Sequence, residues 1–185
     1  MNREQWLSEA VGQIETLFPR FVPDVHVSCG WPSRGGTSLK KRVLGECWKP
    51  TVSEDGVSHI FINPMISDTI QVLGILAHEM IHALHPDAGH KGEFISTAKS
   101  IGLLGPWTST QIGPELHAHL TNISSEIGDY PHSKLTPSVE RKVQTTRMKK
   151  LECPACGYVV RATQKWIDVG LPTCCCGTGM EFVDA

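Results

Sequence analysis

Residues 70–84 are almost continuously apolar, and apart from Gln71 the polar exceptions fall in one motif, His78-Glu79-Met80-Ile81-His82. A run of this length is too long for an ordinary buried strand, so it reads as a helix that is apolar around most of its circumference and therefore buried. Residues four apart stand one above the other on a helix, so His78 and His82 share a face. Gln71, His78, His82 and His85 recur at spacings of seven, four and three. They form one polar stripe, and a polar stripe on a buried helix lines a cleft.

Two imidazoles fill half of a tetrahedral zinc shell; a catalytic site takes a third protein ligand and keeps one position for water. His90 is the expected third ligand. Pro86 disfavours helical geometry at His85, and Gly89 permits a left-handed turn just before His90. His85 and Glu93 are the alternatives. A second helix is expected from about Lys91, with Phe94, Ile95, Ala98 and Ile101 on its apolar face. Glu79 is adjacent to His78 but is not a ligand in this motif; it is the expected general base, taking a proton from a water that zinc acidifies and returning it to a leaving group. Without a metal or a partner, burying even one such polar group costs about 2–7 kcal/mol. The motif therefore reads as a catalytic zinc site.

The second constraint lies near the C-terminus, where Cys153-Pro154-Ala155-Cys156-Gly157 precedes Cys174-Cys175-Cys176-Gly177. Thiolate pairs from two tight turns, each followed by glycine, have the spacing of a zinc ribbon. Cys153, Cys156 and Cys176 are expected ligands, with Cys174 preferred over Cys175 as the fourth. A short hairpin is expected between the pairs, from residues 158–163 and 165–167. Cysteines clustered this way favour a structural zinc over a disulfide framework.

The rest of the chain fits a two-part molecule. At 185 residues and 40% hydrophobic content it supports one main core and a small satellite. Residues 1–17 pattern as an amphipathic helix rather than a signal peptide, and no membrane span is evident. Segments 21–29, 42–48 and 57–62 favour strands of a small antiparallel sheet; His26 and His59 lie on them as surface residues with no assigned role. A further helix is expected over Pro114–Ile127, and its His117 and His119, like Tyr130 beyond it, read as ordinary structural residues. The expected organisation is a catalytic domain at 1–130, a basic linker at 131–150 and the ribbon at 151–185. From residue 134 onward, eight Lys and Arg face five Asp and Glu, a net +3 in a chain of net −2. With Tyr158 and Trp166, such a tail suits a nucleic-acid backbone and its bases.

Residues 75–83, the following His90-Lys91-Gly92-Glu93-Phe94, and the Cys153/Cys156 and Cys174/Cys176 pairs resemble the SprT-like (Spartan-type) zinc metalloproteases, in particular bacterial or bacteriophage members. Lys91 stands where that pattern usually has glycine, and the connector from His82 to His90 is shorter than in better-known members. The resemblance implies an α+β, zincin-like protease domain followed by a zinc ribbon. It also implies two zinc ions, one catalytic and one structural. The expected activity is peptide-bond hydrolysis on proteins associated with or crosslinked to DNA. The expected location is the cytoplasm of a bacterium or of a phage-infected host.

Overall fold

The computed structural model describes residues 1–38, 40–137 and 148–183. The chain divides into two compact units, Met1–Pro137 and Ser138–Ala185. Both units mix helices and small sheets, and five α-helices occur among the described residues. The division falls within the expected linker at 131–150. Half of the expected linker, including Arg141, Lys142 and Arg147, lies outside the described residues.

In the first unit, α1 (Arg3–Glu15) starts at a capping box in which the Asn2 side chain accepts from the Gln5 N–H and the Gln5 side chain accepts from the Asn2 N–H. Its buried face is Trp6, Leu7, Ala10 and Ile14. The sheet comprises β1 (Val25–Cys29), β2 (Gly45–Trp48) and β3 (Ser58–Ile62) in the order β1-β3-β2. It is mixed rather than antiparallel: β2 runs antiparallel to β3, but β1 runs parallel to it. The expectation of an antiparallel sheet fails at β1, because β3 and not β2 is its neighbour. That leaves the most apolar strand in the centre, where Ser58, Ile60 and Ile62 are buried.

The motif helix, α2 (Thr69–Leu84), packs against β2 and β3. Asp68 caps it, accepting from the Gln71 N–H at 2.7 Å. Beyond it lie α3 (Glu93–Ser100), the paired strands β4 (Leu103–Leu104) and β5 (Gln111–Ile112), and α4 (Pro114–Ile127). Leu116, Leu120 and Ile123 of α4 join Val72, Leu73, Leu76, Met80, Phe94 and the buried face of α1 in one core. No helix among the described residues is long and apolar enough to cross a membrane.

The second unit is a three-stranded antiparallel sheet in the order β7-β6-β8, from β6 (Lys149–Glu152), β7 (Val159–Ala162) and β8 (Glu181–Val183). Lys149 and Lys150 are thus strand residues, not linker. The expected hairpin at 158–167 is also corrected. Its first arm is β7, which pairs with β6, while Lys165, Trp166 and Ile167 belong to α5 (Gln164–Val169). β7 pairs with β6 alone, and the segment after it turns into a helix instead of adding a strand to the outer edge of β7. A side-chain bond from Gln164 to Asp168 at 2.8 Å, one helical turn on, supports the alternative.

Candidate metal centres

The apolar bulk of α2 fixes its rotation against the sheet, and that rotation decides where the histidines emerge. His78 and His82 are half-buried on one face, and the chain leaves the helix at His85. Gly89 adopts φ 56°, the left-handed conformation the turn requires, and brings His90 back over the helix. His90 Nε2 lies 3.2 Å from His82 Nε2 and 3.3 Å from His78 Nε2. Two nitrogens bound at about 2.0–2.1 Å to one tetrahedral ion stand about 3.4 Å apart. The three nitrogens therefore have the spacing of a shared metal shell, and the group could hold a metal ion.

The electrostatics suit metal ligation. Burial, with the neighbouring imidazoles adding to it, pushes His78 down to about 3 and His82 to about 4, and burial lowers His90 as well. All three stay neutral near pH 7, with lone pairs available. The Phe94 ring lies 5.0, 4.6 and 4.9 Å from the rings of His78, His82 and His90, forming an apolar wall. Nδ1 of His78 lies 2.9 Å from the Thr110 hydroxyl. If Nδ1 donates there, the tautomer leaves Nε2 free to coordinate. Nothing in the sequence around Thr110 marks it for this position.

His85 is used elsewhere. Its Nε2 lies 2.9 Å from the Thr97 hydroxyl and its Nδ1 3.5 Å from Glu93, so both alternative ligands help dock α3. His117 and His119 are exposed on α4, and Tyr130 packs on Trp6 with ring centroids 5.0 Å apart.

Glu79 is buried beneath β2. A Cβ on Gly45 would stand 2.7 Å from Glu79 Oε1 and 2.6 Å from Ile75 Cγ2, so only glycine admits the helix this close. The carboxyl is pushed up to about 8 by burial and then by the charge of Glu46, against a hydrogen bond from the Cys47 backbone N–H that favours ionisation. Antiparallel alternation explains that last bond. The Asn63 N–H donates to the Leu44 carbonyl, so the backbone groups of Gly45 and Cys47 turn away from β3 at the open edge of the sheet.

In the second unit, Cys153, Cys156, Cys174 and Cys176 form a group able to hold a metal, their ligand atoms all within 4.8 Å. The Sγ atoms of Cys153 and Cys176 are 3.5 Å apart, and those of Cys156 and Cys174 are 3.4 Å apart. A disulfide would need about 2.0 Å. Each turn closes on a left-handed glycine, at different lengths: Gly157 (φ 72°) donates to the Cys153 carbonyl four residues back, and Gly177 (φ 84°) to the Cys174 carbonyl three residues back. The Thr178 hydroxyl and N–H pull Cys176 down to about 6, which favours the thiolate. Cys175 is exposed, its Sγ 3.8 Å from that of Cys174, and stands outside the group.

A third group was not anticipated. His26, Asp55 and His59 also bring ligand atoms within 4.8 Å of one another. The parallel pairing that the sequence did not reveal is what sets His26 beside His59. No protein-family model matches the chain, and no curated protein or solved structure matches it.

Proposed function

We propose that the chain is a zinc-dependent metallopeptidase with a zincin-like catalytic unit of SprT-like type, acting on proteins associated with DNA. The observation that carries this reading is the convergence of three imidazole nitrogens beside a buried carboxyl on the same helix, under an open strand edge. A structural ion alone has no need of that carboxyl.

His78, His82 and His90 would hold the zinc, which would supply a Lewis acid able to acidify water near neutral pH. The residues of the chain do the rest. Glu79 accepts the proton of the attacking water and delivers it to the leaving amide nitrogen. The Cys47 N–H fixes the carboxylate, and Gly45 lets it reach its place. The free edge of β2 offers an extended peptide a strand to pair with, which aligns a scissile bond over α2 without regard to most side chains.

The second unit supports a nucleic-acid role. Trp166, Tyr158 and Phe182 are exposed, with Lys165 Nζ 5.1 Å from the Trp166 ring and Lys149 Nζ 5.5 Å from that of Phe182. Aromatic faces beside cations can stack on bases while neutralising phosphates. The test is cleavage of a DNA-bound protein by zinc-loaded wild type and Glu79→Gln, with and without single-stranded DNA. Cleavage by wild type alone, stimulated by DNA, is expected. DNA binding without cleavage by either protein would overturn the peptidase reading in favour of a zinc-ribbon adaptor.

A further inference from the structure

We propose that His26, Asp55 and His59 form a further metal site, for a divalent ion of the zinc class, on the face of the sheet opposite the motif helix. Ile60 and Ile62 of β3 turn inward to the core, so His59 and Phe61 between them turn outward. Register then places His26 directly beside His59 on that outer face, with ring centroids 4.8 Å apart. Asp55, in the turn that leads into β3, completes the group.

The carboxylate is held as a ligand is usually held. Asp55 Oδ1 accepts from the Ser53 hydroxyl at 2.6 Å and from the Val57 N–H at 3.0 Å. Those bonds leave Oδ2 facing His26 Nε2 at 2.9 Å. They also hold Asp55 well below the usual carboxylate range, with His26 contributing further. The Ser53 hydroxyl lies 3.1 Å from His59 Nε2, so one serine touches two of the three proposed ligands. Two imidazoles and a carboxylate are a common donor set for zinc and its neighbours, with water completing the shell. The side chains of His26 and Asp55 are 56% and 50% exposed, so a solvent ion has access without any opening of the fold.

The position gives such an ion a consequence. Ser53 and His59 also line a cleft of about 530 Å³ walled by Trp31, Trp48 and Phe61. Coordination would tie the 53–57 turn to both β1 and β3, fixing one rim of that aromatic cleft. This inference does not depend on the peptidase reading.

The test is zinc stoichiometry of the full chain, measured by native mass spectrometry and by titration against a competing chelator. The probes are wild type, the His26→Ala/His59→Ala double variant and Asp55→Asn. Each variant is expected to bind one zinc fewer than wild type at micromolar free zinc, with at least a tenfold weaker third affinity. Asp55→Asn keeps an oxygen for Ser53 and Val57, so it decides the matter if the double variant fails to fold. Equal stoichiometry and affinity in wild type and Asp55→Asn would overturn the proposal.

Discussion

The histidine group and the cysteine group solve the same problem by different means. The first stands on a helix locked into a core that includes Trp6, Leu73, Leu76, Met80, Ile81 and Phe94, all essentially buried. Its ligands are placed by packing that exists whether or not an ion is bound. The second has four buried side chains, Leu151, Cys153, Cys174 and Met180, and two of these are themselves proposed ligands. An ion there contributes about 10–16 kcal/mol of apparent binding free energy in comparable small domains, as much as the whole net stability of an ordinary one. The lesson is that the first centre has its ligands in place before any ion arrives, while the second has little but an ion to hold it together.

Chelation should therefore separate the two units, and this is the largest effect expected. After exhaustive treatment with a chelator, hydrogen exchange should lose all protection across β6 and β7, whereas α2 should stay protected. Loss of α2 protection in the same step would end the distinction. Within the ribbon, Cys174→Ser should unfold the unit and Cys175→Ser should leave it folded, as read by exchange in β6. Equal damage from both would mean the fourth ligand is wrongly assigned.

A second test acts on the histidine side alone. Gly45→Val places three carbons where Glu79 and Ile75 already stand. Overpacking of this kind costs about 1–3 kcal/mol. It should also displace the carboxyl and lower peptidase activity by about 10²-fold or more, while the bound zinc count is unchanged. Lost zinc would show that the β2 contact supports the ligands as well as the base.

Smaller still is the effect of Thr110→Ala. Removing the hydroxyl that orients His78 should weaken zinc at the histidine group by about 10- to 100-fold, read by chelator competition, with no change at the ribbon. An unchanged affinity would mean that packing against Phe94 alone sets the ring.

These residues also mark how far the sequence could be read. The motif helix, the third histidine, α4 and both cysteine turns are written locally, in periodicity, in glycine placement and in spacings under ten residues. Gly45 and Thr110 depend on what packs against α2, and the His26–Asp55–His59 group on which strand lies beside which. That order is set by how a fifteen-residue connection crosses the sheet, and no short-range pattern encodes it. The α5 segment failed for the opposite reason: Lys-Trp-Ile is too short a pattern to separate strand from helix, and the Gln164–Asp168 contact one turn apart belongs to the helix.

The finest test concerns charge within the metal-free histidine centre. With Glu79 raised to about 8 from an ordinary 4.5, the folded chain holds a proton there that the unfolded chain releases between those values. Its contribution to stability is full below 4.5 and is lost as pH rises through 8. His78 and His82 are depressed to about 3 and 4 from 6.5, so the unfolded chain takes up two protons that the folded one refuses. Their contribution is present above 6.5 and is lost as pH falls towards 4. The opposing trends should give the chelated protein a stability maximum near pH 6.5. Glu79→Gln keeps the histidine limb and removes the alkaline one. The difference between wild type and Glu79→Gln, from urea denaturation in chelator at pH 6, 7 and 8, should shift against wild type by about 1 kcal/mol per pH unit across that range. All other groups, the unfolded ribbon included, cancel in that difference. Parallel curves would mean that the carboxylate is already ionised without the metal, and that the Cys47 N–H outweighs both burial and Glu46.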